Sequence, residues 1–175
     1  MPEKTESLGG QQCPMCGKKE LTLVEAESEV PFFGKIFLFS MHCSACHYHK
    51  ADVEAAEQKE PARYTFEVEG KDDLSVRVIR SSEGIIKIPH VGSLEPGTNA
   101  EGFITNVEGL IEKFKKHIET LRDAAEDDED RKKAKNMLKK IQNVLWGEEK
   151  LKIIIEDPTG NSAIISEKAK REKLK

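Results

Sequence analysis

The sequence predicts an α+β protein: a small β-ribbon on the N-terminal side, then a β-rich domain interrupted by an α-helical hairpin. Three observations predict it. Two Cys-x2-Cys pairs, Cys13/Cys16 and Cys43/Cys46, enclose a segment rich in Ile, Leu and Phe. From Ala62 onward apolar residues alternate with polar ones, at Tyr64, Phe66 and Val68, then Val76 and Val78, then Ile86 and Ile88. After Thr105 the period becomes helical: Val107, Leu110, Ile111, Phe114, Ile118 and Leu121 share one face, and a second stripe follows at Ala134, Met137, Leu138, Ile141 and Leu145.

A chain of 175 residues holds one ordinary domain or two small ones. Lys and Arg number 28 against 32 Asp and Glu, a formal net charge of -4. That balance argues against wholesale tracking of phosphates, which draws on a net basic face. No apolar run is long enough to span a bilayer. The polar opening from Met1 to Gln12 lacks the apolar centre of a secretory signal, so a cytoplasmic location is expected. Thiols stay reduced there, and two close cysteine pairs then read as metal ligands rather than disulfides.

The expected organisation runs as follows. Residues 1–12 form a disordered leader, 13–60 the ribbon, 61–166 the β-domain with its hairpin at about 106–146, and 167–175 a basic tail. Within the ribbon, Leu21 to Glu29 and Lys35 to His42 are the strands, joined through Pro31-Phe32-Phe33-Gly34. The polar stretch Ala51 to Glu60 leads out of it. Pro89 to Ala100 is a turn-rich loop. Thr105 or Asn106 caps the first helix, acidic residues Glu126 to Asp130 open the second, and Gly147 ends it. Leu151 to Ile155 and Ala163 to Ile165 are strands around the turn Asp157-Pro158-Thr159-Gly160-Asn161.

The cysteine spacing carries the chemistry. Each Cys-x2-Cys sits in a tight turn that aims two thiolates at one point, and two such turns supply the four sulfurs of a tetrahedral zinc site. The 26 residues between the pairs accommodate a two-stranded hairpin. Gly17 follows the first pair, where a knuckle needs positive φ. One structural Zn2+ held by Cys13, Cys16, Cys43 and Cys46 is the expectation. A redox dithiol would instead open a helix after a core strand. His42, His47 and His49 flank the second pair, and four cysteines leave them outside the ligand set.

Several segments together resemble the ZPR-type zinc-finger protein family. They are Cys13-Pro14-Met15-Cys16-Gly17, Val30-Pro31-Phe32-Phe33-Gly34 with Ile36 to Ser40, and the second knuckle with Tyr48. Further on come Asp73-Leu74, Ile88-Pro89, Glu95-Pro96-Gly97, Thr105 to Leu110 and Glu156 to Ser162. The resemblance runs from about Cys13 to Ile165. It implies a zinc ribbon followed by a double-stranded β-helix-like domain with a helical hairpin, in the single-module form of the short archaeal members. It also implies binding to translation elongation factor one-alpha and help in its folding or maturation. His47 stands where the family usually has Gly, and His49 where Asn is common.

Phe32 and Phe33 at the ribbon tip, with Tyr48, are the candidate partner-contacting residues. For the two phenylalanines, packing of the ribbon onto the β-domain is the alternative, and the preferred one. The polar turn at Asp157 reads as a demanding β-turn rather than an active site. No nucleophile, phosphate loop or carboxylate pair stands out, so an enzyme is not expected. The expected class is a binding factor for another protein. A nucleic-acid-binding ribbon of the translation or transcription apparatus is the alternative.

Overall fold

The computed structural model describes residues 4–31, 33–57 and 59–174. The ribbon is a four-stranded antiparallel sheet of β1 (Lys4–Gln11), β2 (Leu21–Val30), β3 (Gly34–Cys43) and β4 (His49–Ala55), in that spatial order. β2 and β3 pair without a break from Leu21↔Cys43 to Val30↔Gly34. Two expectations change here. Of the segment expected to be a disordered leader, Lys4–Gln11 is strand β1, which pairs with β2 from Lys4↔Glu27 to Gln11↔Leu21. Nearly all of its residues are exposed, so no apolar alternation marks it; the open edge of β2 orders it through backbone pairing. The polar exit from the second knuckle supplies β4, which covers the other edge of β3.

The remainder folds from β5 (Ala62–Val68), a 3-10 turn (Lys71–Ser75), β6 (Arg77–Arg80), β7 (Ile85–Ile88), β8 (Gly92–Leu94), β9 (Phe103–Asn106), α1 (Val107–Ala124), α2 (Asp128–Trp146), β10 (Leu151–Asp157), β11 (Ala163–Ile165) and β12 (Lys170–Lys173). A five-stranded sheet, β12-β5-β10-β7-β8, faces a three-stranded one, β11-β6-β9. Phe66, Ile86, Ile153 and Ile155 from the first meet Val78 and Ile164 from the second in one core. Central β10 shows the alternation of a half-buried strand: Leu151, Ile153, Ile155 and Asp157 point in, Lys152 and Glu156 out. The basic tail is also corrected. Lys170–Lys173 is an exposed edge strand against β5, paired from Lys170↔Thr65 to Lys173↔Ala62.

The hairpin forms where the period placed it. Asn106 caps α1, its side chain accepting from the Gly109 N–H at 2.8 Å, and Gly147 closes α2 with φ 77°. It is not an appendage. Leu110, Ile111, Phe114 and Ile118 of α1 and Ala134, Ile141 and Val144 of α2 belong to the same core as the two sheets.

Ribbon and β-domain are joined face to face. Val30, Phe33, Ile36 and Val53 pack on Ile79 and Ala163 of the three-stranded sheet. Phe33 is 6% exposed, and burying such a ring contributes on the order of 2–3 kcal/mol. It is therefore a packing residue, because its ring lies between the two parts rather than at an open tip. Phe32 lies outside the described residues. Polar contacts complete the joint: the Ala55 N–H donates to the Asn161 side chain at 3.1 Å, the Ser82 N–H to Asp52 at 2.9 Å, and the Gly102 N–H to the Ala51 carbonyl at 3.0 Å.

Candidate metal centre

Each knuckle is a turn closed by the backbone. The Gly17 N–H donates to the Cys13 carbonyl at 2.9 Å, and the His47 N–H does the same to Cys43 at 2.9 Å. The chain then pairs back on itself, Cys13 N–H to Lys18 carbonyl at 2.8 Å and Cys43 N–H to Tyr48 carbonyl at 2.9 Å. Such a turn needs a left-handed residue after the second cysteine, and both provide it: φ is 72° at Gly17 and 59° at His47. Cys13 and Cys43 are buried and Cys16 and Cys46 exposed, one of each from each pair.

The four sulfurs all lie within 4.8 Å of one another. Cys13 Sγ is 3.7 Å from Cys46 Sγ, and Cys16 Sγ is 3.8 Å from Cys43 Sγ. Zn–S bonds of about 2.3 Å in a tetrahedron require sulfurs about 3.8 Å apart, so the donor set and its spacing fit zinc. Among the described residues this is the one cluster of potential ligands, and no histidine joins it. His49 Nδ1 lies 3.1 Å from Glu101 Oε1, and the His42 ring is 6.5 Å from that of His49. Leu21 lies beneath the cysteines, with Leu23, Met41 and Tyr48 packed around it, so Tyr48 is half-buried.

Four thiols this close cannot all ionise without a cation among them. At Cys13, burial pushes the thiol up, but backbone N–H groups of Cys16 and Met15 outweigh it and bring it down to about 7. At Cys46 the Tyr48 backbone lowers it, while burial and the neighbouring thiols push it up to about 12. A bound divalent ion removes the conflict by holding all four as thiolates.

Asp157, the other polar feature of the sequence, is fully buried and fully bonded. Oδ1 accepts from the Thr159 N–H and hydroxyl, both at 2.7 Å; Oδ2 accepts from the hydroxyls of Ser81 (2.7 Å) and Ser162. Burial raises its pKa, yet these donors outweigh burial and hold it below the ordinary value. The turn is visible in the sequence. Ser81 is not, since it lies 76 residues away and nothing local marks it.

A four-cysteine ribbon fused to a jelly roll with a helical hairpin defines a zinc-finger module. Residues 6–61 match the ZPR1 zinc-finger domain and residues 72–175 the ZPR1 jelly-roll domain. The chain belongs to the ZPR1 family. It is 38% identical to a ZPR1-like protein of Pyrococcus horikoshii, over 99% of this chain and 80% of that one. A ZPR1-like protein of Methanocaldococcus jannaschii is 36% identical over 97% of this chain and 86% of its own. The zinc finger chaperone zpr1 of Schizosaccharomyces pombe is 32% identical over 93% of this chain, which spans only 35% of that longer protein.

Proposed function

We propose that this chain binds translation elongation factor one-alpha in the cytoplasm and assists its folding or maturation. It does so as a non-enzymatic factor carrying one structural Zn2+ on Cys13, Cys16, Cys43 and Cys46. One observation carries the reading: the likeness to a relative named a zinc finger chaperone covers 93% of the chain, more than either the ribbon or the jelly roll alone supplies. The bonding of Asp157 supports a non-enzymatic role, because no lone pair of its carboxylate is left to abstract a proton.

With Phe33 in the joint, the ribbon meets its partner through the knuckle, where Met15 is 71% exposed and the Tyr48 ring is half-covered. The hairpin contributes through its outer end, where Leu121 is 54% exposed. In this reading the partner buries both side chains on binding. Nucleic acid is the poorer fit for a chain of net charge -4.

The test is calorimetric titration of the zinc-loaded chain with purified elongation factor one-alpha. Binding is expected, and Met15→Asp combined with Leu121→Asp should weaken it by about tenfold or more while zinc is retained. Tight RNA or DNA binding at about 150 mM salt, with no elongation-factor binding, would establish the nucleic-acid alternative instead.

A further inference from the structure

A cleft lies away from the cysteines, between the open edges of the two jelly-roll sheets. β8 ends the five-stranded sheet, β9 ends the three-stranded one, and residues 95–102 connect them. The cleft has a volume of about 730 Å³. Helix α1 closes one side with Lys113, Phe114 and His117, and Phe103 of β9 and Arg80 of β6 also line it.

Its chemistry is cationic and aromatic together. Phe103 pairs with Arg80 across the sheet, and the guanidinium carbon sits 5.6 Å from the ring centroid. Lys113 Nζ lies 4.8 Å from the same centroid. Arg80 is 3% exposed; Nε donates to the Gly84 carbonyl and Nη1 to the Glu101 carbonyl, both at 2.8 Å, and buried Nη2 has no partner. Among the described residues neither Arg80 nor Lys113 makes an ion pair. Asp157, Asp52 and Glu83 act on the guanidinium only from further away. A buried guanidinium with no direct ion pair and one unused donor nitrogen leaves an unmet N–H beside the cleft. Lys113 and His117, both exposed, offer the donors that an entering ligand meets first.

Two features narrow the ligand. Phe103, Phe114 and Leu94 give an apolar wall, so the anionic group is carried on an apolar body. Glu95 and Glu101 also line the cleft, which disfavours a polyanion. We propose that this cleft binds a small organic anion: one carboxylate or phosphate group is held by Lys113 and His117 in front of Arg80, and its apolar body lies against Phe103 and Phe114.

The experiment titrates the zinc-loaded full chain with benzoate, phenyl phosphate and inorganic phosphate, followed by NMR shifts of the Phe103, Lys113 and His117 signals. Saturable shifts there are expected, with phenyl phosphate or benzoate binding about tenfold or more tighter than inorganic phosphate because the body is also recognised. The stronger of the two aromatic probes identifies the head group. Lys113→Gln with His117→Gln changes two exposed side chains and leaves the bonds of Arg80 intact; it should weaken the preferred probe by about tenfold or more. The proposal is overturned if no probe saturates these signals by about 10 mM, a concentration at which even weak fragments occupy a formed site. Unchanged affinity in the folded double variant, or equal binding of inorganic phosphate, overturns it too.

Discussion

Gly17 and His47 hold equivalent positions in the two knuckles, each following a Cys-x2-Cys pair in left-handed backbone, at φ 72° and 59°. Glycine takes that conformation freely, whereas a residue with a Cβ is destabilised there by roughly 1–2 kcal/mol. The two halves of the ribbon are thus alike in geometry and unequal in strain.

His47→Gly should therefore stabilise the zinc-loaded protein by about 0.5–1 kcal/mol, net of the greater freedom that glycine gives the unfolded chain. A rise in thermal midpoint of about 1–4 °C is the expected reading. His47→Val, β-branched at the same φ, should lower the midpoint instead. A drop with Gly would show that the imidazole makes a contact outweighing the backbone strain.

Removing the metal should unfold the ribbon. Structural zinc contributes on the order of 10 kcal/mol to folding, so Cys43→Ser or prolonged chelation should cost most of the β-signal of residues 4–55. Elemental analysis of the purified protein should give one zinc per chain. A metal-free protein with an unchanged circular-dichroism spectrum would refute the assignment.

Asp157 gives a pH dependence of definite sign. Its folded pKa lies below the ordinary 3.8, so its contribution is complete above that value and is lost as pH falls through the folded pKa. Asp157→Asn should destabilise the protein by about 3 kcal/mol or more at neutral pH, since a buried network loses its charged acceptor. The gap between parent and variant should narrow on acidification below that value. Urea unfolding of both proteins at several pH values, followed through Trp146, the single tryptophan, measures it.

Gly160→Ala should be harmful for two reasons that add. The residue has φ 74°, and a Cβ there would lie 2.5 Å from the Glu60 carbonyl oxygen, which is backbone and cannot step aside. A loss of about 2 kcal/mol or more in denaturant unfolding is expected. Gly10→Ala, also at φ 72° but with open space around it, should lose only the backbone share.

The parts that were legible in the sequence share one property: their signal is local. Cys13, Cys16, Cys43 and Cys46 state their chemistry by spacing, and Leu110 to Ile118 state theirs by period, which is why the metal cluster and the hairpin lie where expected. β1 and β12 were hidden because Lys-Thr-Glu-Ser and Lys-Arg-Glu-Lys bury nothing and become strands only when β2 and β5 present an edge. β8 was hidden within a Gly- and Pro-containing loop. The apolar stripes of the hairpin were legible, but not that they would complete the jelly-roll core, which depends on where β10 brings Ile153 and Ile155. The pairing of Ser81 with Asp157 depends on the whole fold being closed.

The joint between ribbon and jelly roll sets a distance. Asn161 reaches across to Ala55, Asp52 to Ser82, and Val53 sits on Ile79, so the knuckle cannot swing about β4 as it could on a flexible tether. Met15 and Leu121, one on each side of that joint, are held like the two jaws of a caliper locked at one opening. A surface that touches both is measured rather than embraced.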